Sequence, residues 1–204
     1  MSNKLREHYR DLYKKYGERV ESIQWSTIES QEKRFEILLD VVAKDNSILD
    51  LGSGLGDLYA YSRKRGHVGS YLGLDFVDEF IEASNKKYSA KSDAKFEQFD
   101  INKSELPEGY DFILVSGMFN NLMEDNWSFI CETLQKMFKV CNSGLAINCL
   151  SKYVDYFDDG LYYTDPLQLF DYCKKNISKF VTLRHDYLVK EGSVPFEFTL
   201  YLFK

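Results

Sequence analysis

Ile48-Leu49-Asp50-Leu51-Gly52-Ser53-Gly54-Leu55-Gly56 is the stretch on which the fold turns. A short apolar run carrying one acid stops at a glycine cluster, three of the chain's 12 glycines within five residues. The run reads as a buried strand. The glycines read as a turn that lets backbone approach a ligand where a side chain would collide. From Asp57 to Arg65 the pattern is helical, closed by Gly66. A Gly-x-Gly-x-x-Gly dinucleotide loop starting at Gly52 needs glycine at 57, and Asp57 stands there. With Asp50 at the strand end and Asp57 opening the helix, a phosphate is poorly served and a cationic ligand well served.

Working outward, Tyr71-Leu72-Gly73-Leu74-Asp75 reads as a second strand ending in an acid, and Lys95 to Phe99 as a third, followed by Asp100. A helix over Asp78–Tyr88 separates them. Tyr110 to Val115 is the most strand-like run in the chain, and Leu145 to Leu150 is a fifth strand after a helix from about Trp127 to Val140. A helix starts near Pro166. Phe180–Leu188 and Phe196–Phe203, separated by Lys190-Glu191-Gly192-Ser193, read as an antiparallel hairpin. Alternation of strands and helices followed by a hairpin predicts an α/β fold. Its sheet is doubly wound and mostly parallel, with helices on both faces. Such sheets bind ligands beyond the carboxyl ends of their strands, where Asp50, Asp75 and Asp100 cluster. Asp75 suits the two hydroxyls of a ribose; Asp100 suits an adenine amino group or a turn.

Upstream, Leu5, Tyr9, Leu12, Tyr13 and Tyr16 trace an amphipathic helix ending at Gly17, and a second runs through Phe35, Leu38, Leu39 and Val42. The 204 residues divide into a helical cover, 1–44, and a core, 45–204, forming one structural domain. Lys+Arg is 26 against Asp+Glu 32, a net charge of -6, so long-range attraction to nucleic acid is not expected. Aromatic residues reach 16%, with 15 Tyr, which excludes a disordered chain. Cys131, Cys141, Cys149 and Cys173 lack metal or redox spacing and read as buried free thiols. The charged start, Met1 to His8, lacks a signal-peptide core, and no apolar run approaches the ~20 residues of a membrane helix. A cytoplasmic protein, monomer or homodimer, with no membrane contact is expected.

The stretch 48–56, together with Leu72-Gly73-Leu74-Asp75, resembles the S-adenosylmethionine-dependent methyltransferases with the seven-stranded Rossmann-like fold (class I), small bacterial type. The resemblance covers about residues 20 to 204. It implies that Asp50, Gly52, Ser53, Gly54 and Gly56 lie against the methionine moiety. It places Asp75 on the ribose, Phe76 beside the adenine, and Asp100 with Ile101 at the other adenine edge. Ser116 and Gly117 would close the cofactor site. Trp25-Ser26-x-x-x-Ser30-Gln31-x-x-Arg34-Phe35 resembles the cover segment of small members, with Gln31 and Arg34 on one helix face and Arg34 offered to the cofactor carboxylate.

In this fold the acceptor meets the methyl group near Val115-Ser116-Gly117-Met118-Phe119-Asn120-Asn121. No Asn/Asp-Pro-Pro-aromatic run occurs, which disfavours amino methylation of DNA bases. No Pro-Cys pair occurs, which disfavours thiol-assisted cytosine methylation. Ser116 stands where catechol-type members place a metal-binding acid, so no metal is expected. Asn120 and Asn121 suit substrate contact or helix capping. Tyr153, Tyr162 and Tyr163, in the tyrosine-rich loop after the fifth strand, are offered as a substrate wall. His185, Tyr153 and Asp155 are the base candidates, ahead of His67, which sits beyond a helix end, although an acidic acceptor needs none. The expected activity is methyl transfer by in-line displacement from S-adenosylmethionine, leaving S-adenosylhomocysteine, to an oxygen or nitrogen of a small molecule. The alternatives are transfer to a protein or RNA, and cofactor binding without transfer.

Overall fold

The computed structural model describes residues 3–204; Met1 and Ser2 of the expected cover lie outside the described residues. Seven strands form one sheet: β1 (Ile48–Leu51), β2 (Tyr71–Asp75), β3 (Ala94–Gln98), β4 (Phe112–Val115), β5 (Gly144–Leu150), β6 (Phe180–Arg184) and β7 (Glu197–Phe203). Their order is β3-β2-β1-β4-β5-β7-β6. β1 to β5 run parallel, and β7 is antiparallel to both β5 and β6. This is the predicted class of sheet. Its order reverses between β1 and β4, which opens a crevice at their carboxyl ends.

The central strands are apolar on both sides because helices cover both faces. On one face Leu49, Leu51, Ile113, Val115, Leu145 and Ile147 pack with Ile130, Leu134 and Met137 of α5 (Asn126–Val140) and with Leu169 and Cys173 of α6 (Pro166–Asn176). On the other, Ile48, Tyr71, Phe112, Leu114 and Ala146 meet Phe35 and Leu38 of α2 (Ile28–Leu39), Leu58 and Tyr59 of α3 (Asp57–Lys64), and Ile81 of α4 (Asp78–Lys87). A third cluster joins Leu55, Phe76, Val77 and Phe80 to Leu5, Tyr9 and Tyr13 of α1 (Asn3–Tyr16). The α1 helix thus lies over the end of β2, and its hydrophobic stripe is the one read from its spacing.

Side-chain caps set several helix starts. Thr27 accepts the Ser30 N–H before α2, Asp125 that of Ser128 before α5, and Asp165 those of Leu167 and Gln168 before α6, with Pro166 in the first turn. The four cysteines are buried free thiols. Several boundaries shift by a residue, and two differ by more. β4 starts at Phe112 rather than Tyr110. β6 ends at Arg184, and residues 185–196 form a long loop in place of a tight hairpin. His185, expected on a strand, lies just past its end, with its Nε2 3.0 Å from the Pro195 carbonyl oxygen. No helix among the described residues is long and apolar enough to cross a membrane.

Candidate functional site

The glycine turn is built by register. β1 pairs with β2, and after Leu51 the Gly52 and Ser53 N–H groups both donate to the Leu74 carbonyl, at 2.8 and 3.0 Å. Gly52 and Gly54 take left-handed φ values of 84° and 52°, open to glycine at little cost. A Cβ at Gly54 would lie 3.2 Å from Ile23, so the turn also receives the N-terminal segment. The Gly54 N–H donates to Asp75 Oδ2 at 2.8 Å, and the Val77 N–H to Asp75 Oδ1 at 2.9 Å. Asp75 is thereby fixed over the turn, with further lone pairs on each oxygen left to accept from a ligand.

A cavity of about 490 Å³ runs along this edge, inside the roughly 300–1,000 Å³ range of small-molecule sites. Trp25, Gln31, Arg34, Asp50, Gly52, Ser53, Gly54, Asp75, Phe76, Ile101, Ser116, Gly117, Asn120, Asn121 and Tyr163 all line it. Residues from six chain segments, read separately in the sequence, therefore meet at one place.

Its electrostatics favour a cation. Asp50 is 2% exposed and burial pushes its carboxyl up to about 7, although the Tyr71 hydroxyl donates to it. Burial pushes Asp75 up to about 6, opposed by its backbone donors. Each would be more readily ionised beside a positive ligand. Ser53 Oγ and Ser116 Oγ are buried on the cavity wall with no hydrogen-bond partner among the described residues. Unpaired buried hydroxyls of this kind suit a polar ligand.

Several expected residues serve other ends. The Arg34 fork is occupied by Glu197 of β7: its Nε lies 2.9 Å from both carboxylate oxygens, and Nη1 donates to the Ser30 carbonyl at 2.8 Å. The same guanidinium lies 4.1 Å from the Trp25 ring centroid. Gly56 precedes α3 against Tyr88 and Phe96, where a Cβ would sit 2.7 Å from the Tyr88 ring; it is outside the cavity lining. Asp100 follows β3 by two residues and opens a turn, its carbonyl accepting the Lys103 and Ser104 N–H groups. Phe99 and Ile101 line the cavity on either side of it.

Tyr153, Asp155, Tyr162, His67 and His185 also fall outside the lining. Tyr153 stacks on His185 with centroids 5.9 Å apart, tying the loop after β5 to the loop after β6. Tyr162 packs on the α5 side of the core. No base candidate therefore lines the cavity, and the Tyr153 and His185 rings are turned to each other.

Other lining residues were not picked out from the sequence. Tyr9 of α1 meets Phe76 and Phe80 edge-on, centroids 6.0 Å from each, and Met118 packs over Gly52. Glu197 carried a legible signal, a lone carboxylate inside an apolar strand. Tyr9 carried none beyond its place in a helical stripe. No group of three or more His, Cys, Asp or Glu able to hold a metal occurs among the described residues.

Residues 48–144 match a family model described as a methyltransferase domain. Rv1506c of Mycobacterium tuberculosis, named as a methyltransferase, is 34% identical over 154 residues, which cover 72% of this chain and 90% of that one. A demethylmenaquinone methyltransferase of Shouchella clausii is 27% identical over 146 residues, 70% of this chain and 60% of its own. Among solved structures, magnesium protoporphyrin IX methyltransferase of Synechocystis PCC 6803 with bound S-adenosylhomocysteine has a TM-score of 0.68 at 11% identity, covering 99% of this chain and 95% of that one. A S-adenosylmethionine-dependent methyltransferase of Aquifex aeolicus has a TM-score of 0.60 at 16% identity, covering 87% and 99%. The chain therefore belongs to the methyltransferase family, built on the seven-stranded Rossmann-like fold of its S-adenosylmethionine-dependent members.

Proposed function

We propose that this protein transfers the methyl group of S-adenosylmethionine to an oxygen or nitrogen of a small-molecule acceptor. One observation carries the reading: a single cavity is lined by Asp75 and Phe76, by Asp50 and the glycine turn, and by the aromatic side chains of Trp25, Tyr156 and Tyr163. The cofactor supplies an activated methyl group on a sulfonium, so the chain's work is to bind, orient and exclude water. Asp75 accepts the ribose hydroxyls, and Phe76 packs beside the base. Asp50 offsets the positive charge of the methionine end. Ser116 and Gly117 face the methyl group, with Asn120 nearby.

The described part of the cover, residues 3–44, contributes Tyr9, Trp25 and Gln31 to this lining. A small acceptor is supported by the charge of the lining, whose two cations, Arg34 and Lys190, are too few to hold a phosphate backbone. Of the two, Arg34 is already paired with Glu197. The Shouchella relative, named for a quinone substrate, is consistent with an apolar ring against such a wall. The base candidates His185, Tyr153 and Asp155 lie outside the cavity lining, which favours a nucleophile that is already acidic or electron-rich.

Incubation of the protein with methyl-labelled S-adenosylmethionine and a fractionated cell extract tests this. Label should accumulate in the fraction below about 1 kDa. Label confined to acid-precipitable protein or RNA overturns the small acceptor, and absence of cofactor binding by calorimetry overturns the whole reading.

A further inference from the structure

We infer that Asn121 is a positioning residue that couples the cofactor end of the cavity to its acceptor wall. This inference rests on the proposed methyltransferase reading. The Asn121 side chain faces the cofactor cover: its Nδ2 donates to the Tyr9 hydroxyl at 2.8 Å. Tyr9 in turn lies edge-on to Phe76, the ring beside the proposed adenine position. The phenol has its pKa pushed up to about 12 by burial, so it remains a neutral acceptor for that bond throughout the neutral range.

The backbone around Asn121 faces the other way. Asn121 forms an antiparallel bridge with Leu161. The Leu122 N–H donates to the Gly160 carbonyl and the Tyr162 N–H to the Asn120 carbonyl, both at 2.8 Å. These bonds hold the tyrosine-rich loop after β5, which supplies Tyr156, Leu161 and Tyr163 to the cavity. The segment is stiff, not merely tethered. The Asn126 side chain, at the start of α5, donates to the Asn121 carbonyl at 2.8 Å and accepts the Met123 N–H at 2.7 Å.

Asn121 therefore has its side chain on the cofactor cover, while its two neighbours, Asn120 and Leu122, hold the acceptor loop through their main chain. A ligand that settles Phe76 and Tyr9 settles Asn121, and Asn121 sets the register of residues 160–162. The coupling is reciprocal in binding free energy.

Amide hydrogen exchange of the full chain, with and without saturating S-adenosylhomocysteine, tests the assignment without an acceptor. In the unaltered protein the ligand should slow exchange both at residues 52–77 and, about fivefold or more, at 160–162. Tyr9→Phe removes only the accepting oxygen. In that variant slowing at 52–77 should persist, which shows that the site is loaded, while slowing at 160–162 falls below about twofold. Asn121→Ala, which leaves Tyr9 in place, should give the same pattern and serves if Tyr9→Phe does not fold. Full protection of 160–162 in either loaded variant overturns the coupling, as does its absence in the loaded unaltered protein. Failure of S-adenosylhomocysteine to bind or to protect 52–77 at all overturns the methyltransferase reading instead.

Discussion

Arg34 and Glu197, 163 residues apart in the chain, meet in a buried pair, the Arg34 Nε 2.9 Å from each oxygen of the Glu197 carboxylate. Their exposures are 6% and 1%, so neither charge is offset by water. The pair fastens α2 to β7, and the guanidinium supports the Trp25 ring on its other side. Removing one partner strands the other. Glu197→Ala should destabilise the fold by about 3–5 kcal/mol in urea unfolding. Replacing both, with Arg34→Met and Glu197→Leu, should recover most of that loss; a double variant as unstable as the single one would show that the pair acts through something other than charge burial.

Cofactor affinity should depend on pH through Asp50. Burial raises this carboxyl from 3.8 to about 7, so its stabilising contribution is complete below 3.8 and is lost as pH rises through about 7. A cation beside it favours the ionised form. Binding of S-adenosylmethionine near pH 6.5 should therefore release protons, and affinity should rise from pH 5.5 to 8 and then level. Calorimetry in buffers of different ionisation enthalpy reads the protons directly. Asp50→Asn should remove the part of the rise near pH 7 and leave only that of Asp75 near pH 6; an affinity that is already flat near pH 7 in the unaltered protein would place the positive charge elsewhere.

Asp75→Ala should weaken S-adenosylhomocysteine binding by about 1–3 kcal/mol, the loss of charge-assisted hydrogen bonds to the ribose. The same substitution frees the Gly54 and Val77 N–H groups. Circular dichroism and the melting temperature must accompany the titration. An unchanged Kd in a folded variant would remove Asp75 from the ribose.

Gly117→Ala should displace Trp25. A Cβ there would come within 2.6 Å of the indole, on a backbone with φ of 75°. The expected cost is about 1–3 kcal/mol from crowding. In a Trp127→Phe background, Trp25 emission should shift to the red as the ring leaves its place. Unaltered emission would mean that the cover yields without moving Trp25.

Much of the fold was legible because its signals are local. Apolar runs ended by glycine, helical stripes ended by glycine or opened by Asp165-Pro166, and the acids at 50 and 75 each declare themselves within a few residues. The failures follow from the same limit. His185 looks like a base beside Asp186 in sequence, yet the Pro195 carbonyl and the Tyr153 ring take up its two faces of contact. Arg34 looks available to a ligand until β7 brings Glu197 against it. Tyr9 looks like one more core aromatic until the loop after β4 places Asn121 on its hydroxyl.

The sequence by itself determined the alternation of strands and helices, the glycine turn, and the two carboxylates beside it, because short-range periodicity and backbone freedom encode those features directly. Only the tertiary structure decided which side chains share the cavity and which are consumed by one another. That depends on strand order, on the register of β7 against β5, and on loop paths. Those arrangements bring residues more than 100 positions apart to hydrogen-bonding distance.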